Sequence, residues 1–444
     1  MSDYTISELS SGTVGFFGLG RSNAALMGLV PRGREIILRS DEVIPIEAIP
    51  RGDQIGGIFQ GRDAAKDIRE DALIFSPSVR RDRQEFLSAL GRGCVFTSDF
   101  EIFLRYNEKP LFLVTGSDGK TTTTTLISRI LGFPAIGNVG EPMTPHLGDG
   151  AEGYVVEASS FMLEYAHPRS RRAAITSLTE NHLNWHYTMA DYAGAKLRAL
   201  DGADEAVIST DSPLLLEAAL PRKIFAACGV DGQAEAVARR LSAEVYFSLE
   251  DGYITKNGRR LIHASELRRG EKYNLKNYLT SLAMTDGFAD EACALEVIRQ
   301  FGGIPHRGER LGNFSGVEFI NSSIDTTPSR TEATLRDMPE GIVILLGGRD
   351  KGLDFSRLSA VISRRGDRPI AFGEAEEMIA AAMGSRCVRA HGGLSDAVRK
   401  AGEIARGGDT VLLSPAATSY DEFHSFEERG EEFKRLILQV FCKS

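Results

Sequence analysis

The chain has 444 residues, of which 42% are hydrophobic and 25% charged, and its formal net charge is −9. That length exceeds what one hydrophobic core organises and predicts two or three domains. The acidic balance excludes a general nucleic-acid binder, which would carry a basic face, but it permits an anionic small ligand, because a few local Arg, Lys and N–H groups suffice for phosphate. Cys94, Cys228, Cys293, Cys387 and Cys442 form no CxxC pair and have no His partner at zinc spacing, so they predict reduced thiols rather than a disulfide framework. The opening MSDYTISELS is polar and lacks a signal core. No apolar run approaches the roughly 20 residues of a membrane span. The expectation is a soluble, cytoplasmic protein that binds neither nucleic acid nor membrane.

Strand-like apolar runs alternate with helix-like stretches from end to end, the pattern of α/β domains with largely parallel sheets. The first block, residues 1–106, holds TVGFFGLG, EIILRS and ALIFSPS. In its GFFGLGRSN loop Asn23 stands where GxGxxG needs its last glycine, which argues against a dinucleotide site. The tight turn and helix N-terminus that remain are enough for a diphosphate. The second block, residues 107–302, opens on the strand LFLVTG and holds YVVEASS, AAITSLT and EAVIST. The third, residues 303–444, holds EFINSS, GIVILLGG, RPIAFG and TVLLSP. No Pro- or Ser-rich linker marks the joins, as expected of short hinges.

The most informative segment is LFLVTGSDGKTTTTT. A strand ends at Thr115, a short loop of Gly116, Ser117, Asp118 and Gly119 follows, and Lys120 opens a Thr-rich helix. Such glycines turn N–H groups inward as an anion nest, and the helix N-terminus adds partial positive charge. Lys120 supplies a full charge for β and γ phosphates, and Thr121 offers a hydroxyl to Mg²⁺. The general P-loop would put its first glycine at Val114, inside the strand. The variant TGxxGK[ST]T fits instead.

Downstream, YVVEASS ends in Glu157, beside Ser159. A carboxylate at the carboxyl end of a parallel strand faces the crevice where such sheets bind ligands, and Mg²⁺ takes one or two carboxylates with phosphate oxygens and water. The next strand ends at Leu178, and Asn181, His182, Asn184 and His186 crowd the loop after it. His182 either ligates a second Mg²⁺ or positions the acceptor carboxylate. Lys196 follows on a predicted helix.

These segments resemble the Mur ligase family over nearly the whole chain, and within it the branch that adds glutamate. TGSDGKTT is similar to the family's ATP loop, ENHLNWH to its DHLDxH segment, YxxAK to the motif of its carbamylated lysine, YNLKN to HNxxN, and PHRGE to the segment of its phosphate-reaching arginine. LSPAATSYDEFHSFEERGEEF, residues 413–433, is the most specific match.

The resemblance implies three domains: a Rossmann-like UDP-binding domain, a central P-loop ATPase-type parallel-sheet domain and a C-terminal Rossmann-like domain. It implies ATP-dependent joining of D-glutamate to UDP-N-acetylmuramoyl-L-alanine through an acyl phosphate, in peptidoglycan synthesis, by a monomer using ATP and two Mg²⁺ ions. Catalysis falls to Lys120, Glu157, His182 and Lys196, with Thr121, Glu157, His182 and carbamylated Lys196 serving the metals. Gly116 to Gly119, Lys120, Thr121, Thr122, Asn274, Asn277 and Arg307 are expected at ATP. Gly18, Arg21, Ser22, Arg39, Ser40, Ser76, Ser78, Asn138 and Ser159 are expected at the UDP acceptor, and Thr326, Lys351, Ser419 and Phe426 at glutamate. Asn181 and Asn184 replace family aspartates, Tyr273 replaces the His of HNxxN, and NSSIDTTPSRT replaces NDSKATN at Ser322 and Ile324. Folylpolyglutamate synthase shares the ATP loop but lacks a UDP-binding block before it. A nucleotide-binding regulator descended from a ligase would bind ATP without releasing phosphate.

Overall fold

The computed structural model describes residues 6–44, 49–50, 52–218, 220, 223–336, 338–349 and 352–441. The chain divides into two compact units, residues 1–301 and 302–444.

The first unit carries two sheets. In the first, β1 (Val14–Phe17), β2 (Ile36–Ser40), β3 (Ile55–Gln60), β4 (Ala72–Phe75) and β5 (Val95–Thr97) run parallel in the order β3-β2-β1-β4-β5. The second has nine strands: β6 (Leu111–Thr115), β7 (Ala135–Gly137), β8 (Tyr154–Glu157), β9 (Arg172–Ile175), β10 (Ala206–Ser209), β11 (Ile224–Gly229), β12 (Val245–Glu250), β13 (Tyr253–Lys256) and β14 (Arg259–His263). Their order is β14-β13-β12-β11-β10-β9-β6-β8-β7, and only the β12-β13-β14 meander is antiparallel. Every residue of β6, β8, β9, β10 and β11 is buried, because helices cover both faces of a parallel sheet and leave no solvated side. β6 lies centrally, between β9 and β8, and so delivers the glycine loop to the middle of the sheet's carboxyl edge.

The two sheets share one core. Phe16, Leu26, Ile102 and Phe103 join Ile136, Met143, Tyr154 and Leu163 in a single apolar cluster, with Phe103 edge-to-face on Tyr154 at 5.3 Å. At the passage between the sheets the helix Asp99–Tyr106 begins. The buried Asp99 carboxylate accepts the Met143 and Thr144 N–H groups at 3.0 Å each, while burial raises its pKa.

The second unit is a three-layer sandwich. β15 (Glu309–Phe314), β16 (Val317–Asn321), β17 (Val343–Gly347), β18 (Arg368–Phe372), β19 (Val388–Ala390) and β20 (Thr410–Ala416) form the order β15-β16-β20-β17-β18-β19, parallel except for β15 against β16. Side chains alternate strictly between layers, as the two-residue period of a strand requires. Phe319, Val343, Leu345, Val411 and Leu413 pack with the helices Gly393–Ile404 and Phe426–Phe441. Ile320, Ile344, Leu346 and Leu412 pack with Pro328–Leu335, Ser356–Arg365 and Glu376–Met383. Among the described residues of the whole chain, no helix is long and apolar enough to cross a membrane.

In the first sheet Arg39 is 1% exposed and pairs with Glu70 at 2.6 Å. Removing one member of a buried pair strands the other's charge. Glu70→Ala should therefore lower unfolding free energy by about 3–5 kcal/mol, while Arg39→Met with Glu70→Leu recovers only part of the loss, because the Ala64, Lys66 and Asp67 carbonyls lose their donor. Urea denaturation of the three variants checks this.

Candidate active site

The glycine loop is built as the sequence predicts, and its neighbours show why it must be glycine. Gly116 has φ +147° and Gly119 φ +80°. A Cβ on Gly116 would collide with Thr176 Oγ1 and lie 3.0 Å from the Ser177 N, and one on Gly119 would collide with Asn277 Oδ1. The loop is held from β9's extension. Ser117 N–H donates to the Ser177 carbonyl at 2.9 Å, Asp118 N–H to Ser177 Oγ at 2.8 Å, and Ser117 Oγ meets Tyr192 Oη at 2.9 Å. Of these loop-holding residues the sequence reading singled out none but the tyrosine of YxxAK, since Thr176 and Ser177 read only as the end of a strand.

Two lysine side chains converge on this loop. Lys120 Nζ donates to the carbonyls of Gly116 at 2.9 Å and Ser117 at 3.0 Å. Lys196, 1% exposed on the helix Met189–Asp201, donates to the same Gly116 carbonyl at 2.7 Å. Burial, and then the Lys120 charge, hold the Lys196 amine well below its usual pKa against the opposing pull of Glu157 and Asp118. A neutral buried amine is the form that can add carbon dioxide.

Glu157 lies at the end of β8, beside β6. Its Oε1 accepts the Asn138 amide at 2.7 Å. Its Oε2 is buried with no hydrogen-bond partner, and a buried carboxylate oxygen left so calls for a cation. Among the described residues no three His, Cys, Asp or Glu side chains cluster as a metal cage. That suits Mg²⁺, which keeps several waters and takes phosphate oxygens rather than a full protein shell. Thr121 is half-buried in the first helical turn, directly after Lys120.

Adenine-side candidates line the same edge. Asn277 is buried and accepts the Thr123 hydroxyl at 3.3 Å, and Asn274 donates to Glu271 at 3.0 Å. Tyr273, the residue in place of histidine, is exposed with its hydroxyl on Arg269. Thr122 is half-buried on the helix Lys120–Leu131.

His182 is exposed in left-handed backbone (φ +55°), edge-to-face with Phe161 at 4.9 Å. Desolvation, then Lys196 and Lys120, lower its pKa. His186, four residues on, is buried against Phe161, Trp185 and Tyr192. Asn181 and Asn184 are exposed.

At the first sheet, Gly18 has φ +81°, and a Cβ there would lie 3.0 Å from Ser76 Oγ, which itself accepts Gly20 N–H at 3.4 Å. Asn23 explains the missing third glycine. Its buried amide donates to Phe17, Gly18 and Ile74 carbonyls and ties β1 to β4. Arg21 donates to the Gly140 carbonyl at 3.0 Å, close to Asn138 in sequence. Ser22 is half-buried, Ser40 Oγ accepts Glu42 N–H, Ser78 gives its carbonyl to Trp185, and Ser159 caps the helix Ser160–Tyr165.

Arg39 corrects the sequence expectation. Its guanidinium is consumed by Glu70 and by the carbonyls of Ala64, Lys66 and Asp67, leaving a uridine diphosphate nothing to bind. A strand-end arginine looks the same in sequence whether it meets a ligand or a glutamate far along the chain.

In the second unit Ser419 is buried, Thr326 is half-buried, Phe426 opens the last helix and Arg307 is exposed. Lys351 lies outside the described residues. The signature segment also supplies Arg429, fully buried, which donates to the Ser323, Gly347 and Ala417 carbonyls and to Ser323 Oγ. It thus clamps the carboxyl ends of β16, β17 and β20. Ser322 is buried and accepts Gly308 N–H, while the acid of this segment is Asp325, whose carboxylate accepts Ser414 and Thr334 hydroxyls at 2.7 Å each.

Glycine loop, helix N-terminus, lysine, threonine and an orphaned carboxylate at the carboxyl edge of a parallel sheet define a nucleoside-triphosphate enzyme of the P-loop class. Residues 114–285 match the Mur ligase middle domain. The chain is 31% identical to the UDP-N-acetylmuramoylalanine–D-glutamate ligase of Ruminiclostridium cellulolyticum, over 83% of this chain and 82% of that protein. It is 32% identical to the enzyme of the same name from Chlorobaculum tepidum, over 98% and 99%. Among solved structures it resembles the UDP-N-acetylmuramate–alanine ligase of Thermotoga maritima in fold, at TM-score 0.54 and 18% identity, covering 97% of this chain and 100% of that one. The chain belongs to the Mur ligase family, among the UDP-N-acetylmuramoylalanine–D-glutamate ligases.

The buried aromatic setting leaves a measurable mark. Desolvation, aided by His182 and Lys196, pushes His186 down to about 4 from 6.5. Between those values the unfolded chain takes up a proton that the folded imidazole refuses, so stability falls as pH drops through the window. His186→Phe should flatten this acid limb between pH 6.5 and 4 in melting-temperature profiles.

Proposed function

We propose that the chain joins D-glutamate to UDP-N-acetylmuramoyl-L-alanine with ATP, releasing ADP and phosphate, as a cytoplasmic monomer whose domain boundaries fall near residues 106 and 302. The observation that carries this reading is the convergence of Lys120, Lys196 and the unpartnered Glu157 oxygen around one glycine loop.

The alanine carboxylate attacks the γ phosphorus, the bond to the bridging oxygen breaks, and ADP leaves. Catalysis of such a transfer is mainly positioning and electrostatics. The loop's N–H groups and Lys120 offset charge on the transferring phosphoryl group. Magnesium bound here, as two ions held by Thr121, Glu157, His182 and carbamylated Lys196, would supply further charge neutralisation. The glutamate amine then attacks the acyl carbon of the resulting acyl phosphate, and the tetrahedral adduct loses a proton and expels phosphate. Asn138, hydrogen-bonded to Glu157, is assigned to the acceptor beside the loop. Asn274, Asn277 and Arg307 are assigned to ATP, and Gly18, Arg21, Ser22, Ser40, Ser76, Ser78 and Ser159 to the UDP acceptor. Thr326, Lys351, Ser419 and Phe426 are assigned to glutamate.

Carbamylation follows from the same electrostatics. The Lys196 amine, whose proton burial and the Lys120 charge disfavour, adds carbon dioxide in its unprotonated form and loses a proton, so that an anion stands beside Lys120 where a second buried cation would otherwise stand. Lys196→Ala should lower turnover by about 10- to 100-fold, the range seen when the support of a metal site is lost, with partial recovery on adding short carboxylic acids. Full activity in that variant would overturn the role. Phosphate release should require UDP-N-acetylmuramoyl-L-alanine together with D-glutamate, and release with L-glutamate alone would overturn the substrate assignment.

A further inference from the structure

Two loops leave the carboxyl ends of strands in different sheets of the first unit and meet. One follows β4 and carries Ser76, Ser78 and Arg80. The other follows β9 and carries His182, Trp185 and Tyr187. The Trp185 indole N–H donates to the Ser78 carbonyl at 2.8 Å. The Arg80 guanidinium lies over the Tyr187 ring at 3.9 Å and the Trp185 ring at 5.1 Å, donates to the Trp185 carbonyl, and pairs with Asp82 at 2.6 Å. Arg81 N–H donates to Tyr165 Oη at 3.0 Å on the helix that also holds Phe161.

The second loop cannot hold its own shape. Its helix, Leu183–His186, is a single turn, too short to be stable alone. It is flanked by His182 at φ +55° and Tyr187 at φ +65°, left-handed backbone that non-glycine residues keep only when surroundings over-determine it. Those surroundings are Phe161, whose ring is tilted against Trp185 with centroids 4.7 Å apart, and the first sheet's loop.

We propose that Arg80 and Trp185 are positioning residues for the acceptor: they lock the loop assigned to its nucleotide end in register with the loop that carries His182 at its reacting end. The inference rests on the ligase reading. Neither side chain touches the reacting atoms; both act by fixing the distance that an acceptor anchored on Ser76 and Ser78 must span to reach the glycine loop. Simple packing between the sheets would also use these contacts, but its loss would loosen the whole unit rather than one substrate.

Trp185 is the chain's single tryptophan, so its emission reports the lock directly. In the full-length enzyme, acceptor binding without ATP is followed by calorimetry in wild type, Trp185→Phe and Arg80→Gln, and by tryptophan emission in wild type and Arg80→Gln, which keep the indole. Emission should change saturably over the concentrations that give binding heat. Trp185→Phe, which keeps a ring and deletes the N–H, should raise acceptor KM about five- to tenfold, the scale of one hydrogen bond, with ATP KM and melting temperature unchanged. Arg80→Gln should show the same selective rise and alter the free enzyme's emission. Equal rises in both KM values, an unchanged acceptor KM in both variants, or emission blind to calorimetrically bound acceptor would each overturn the proposal. Absence of any binding heat in the wild type would instead sink the ligase reading, and the proposal with it.

Discussion

Two lysine side chains share one carbonyl oxygen, and the active site is organised around that fact. Lys120 arrives along the chain from the loop itself, and Lys196 arrives from a helix packed beneath it. In water such neighbours cost little, but here burial first, and then the Lys120 charge, hold the deeper Lys196 amine well below its usual pKa. That shared carbonyl belongs to Gly116, at φ +147°. Thr176 and Asn277 press so closely on Gly116 and Gly119 that no side chain fits. Negative charge, such as a phosphate carries, is what the arrangement is suited to receive.

Glu157 completes the logic from the neighbouring strand. One oxygen holds Asn138 and the other is kept bare. A site made for tight metal binding alone would surround that oxygen with further acids. One bare carboxylate beside two lysines instead makes a place where a cation binds well only together with phosphate. This coupling suits an enzyme that must handle its nucleotide and metal as one unit.

Much of this was legible in the sequence, for physical reasons that differ by residue. The glycine loop and Lys120 are local, so spacing alone revealed them. The buried strands of the central sheet are continuous apolar runs, and the alternation of strand and helix gave the α/β class. Three-dimensional neighbours were not legible. Nothing in EIILRS says that Arg39 will meet Glu70, and nothing near Asn23 says that its amide will bind carbonyls of two strands. The β12-β13-β14 meander escaped because its strands are only partly buried and carry many polar residues. Trp185 was quoted only as part of a motif, since its partner, the Ser78 carbonyl, is 107 residues away.

The buried arginines reveal a common device behind these misses. Each sheet has one. Arg39 bonds Glu70 and three carbonyls in the first, and Arg172 bonds Glu205 and the carbonyls of Ala283, Met284 and Asp286 in the second. Arg429 bonds three carbonyls and a hydroxyl in the third. A guanidinium offers five donors in a rigid fork and stays charged when buried, so one side chain can satisfy several main-chain carbonyls where regular structure ends. Ligand-binding edges are where strands stop and loops begin, and they therefore concentrate such carbonyls. An arginine near a strand end in this fold is as apt to be holding the edge together as reaching for substrate. The distinction lies in whether a buried acid or a cluster of carbonyls lies within its reach.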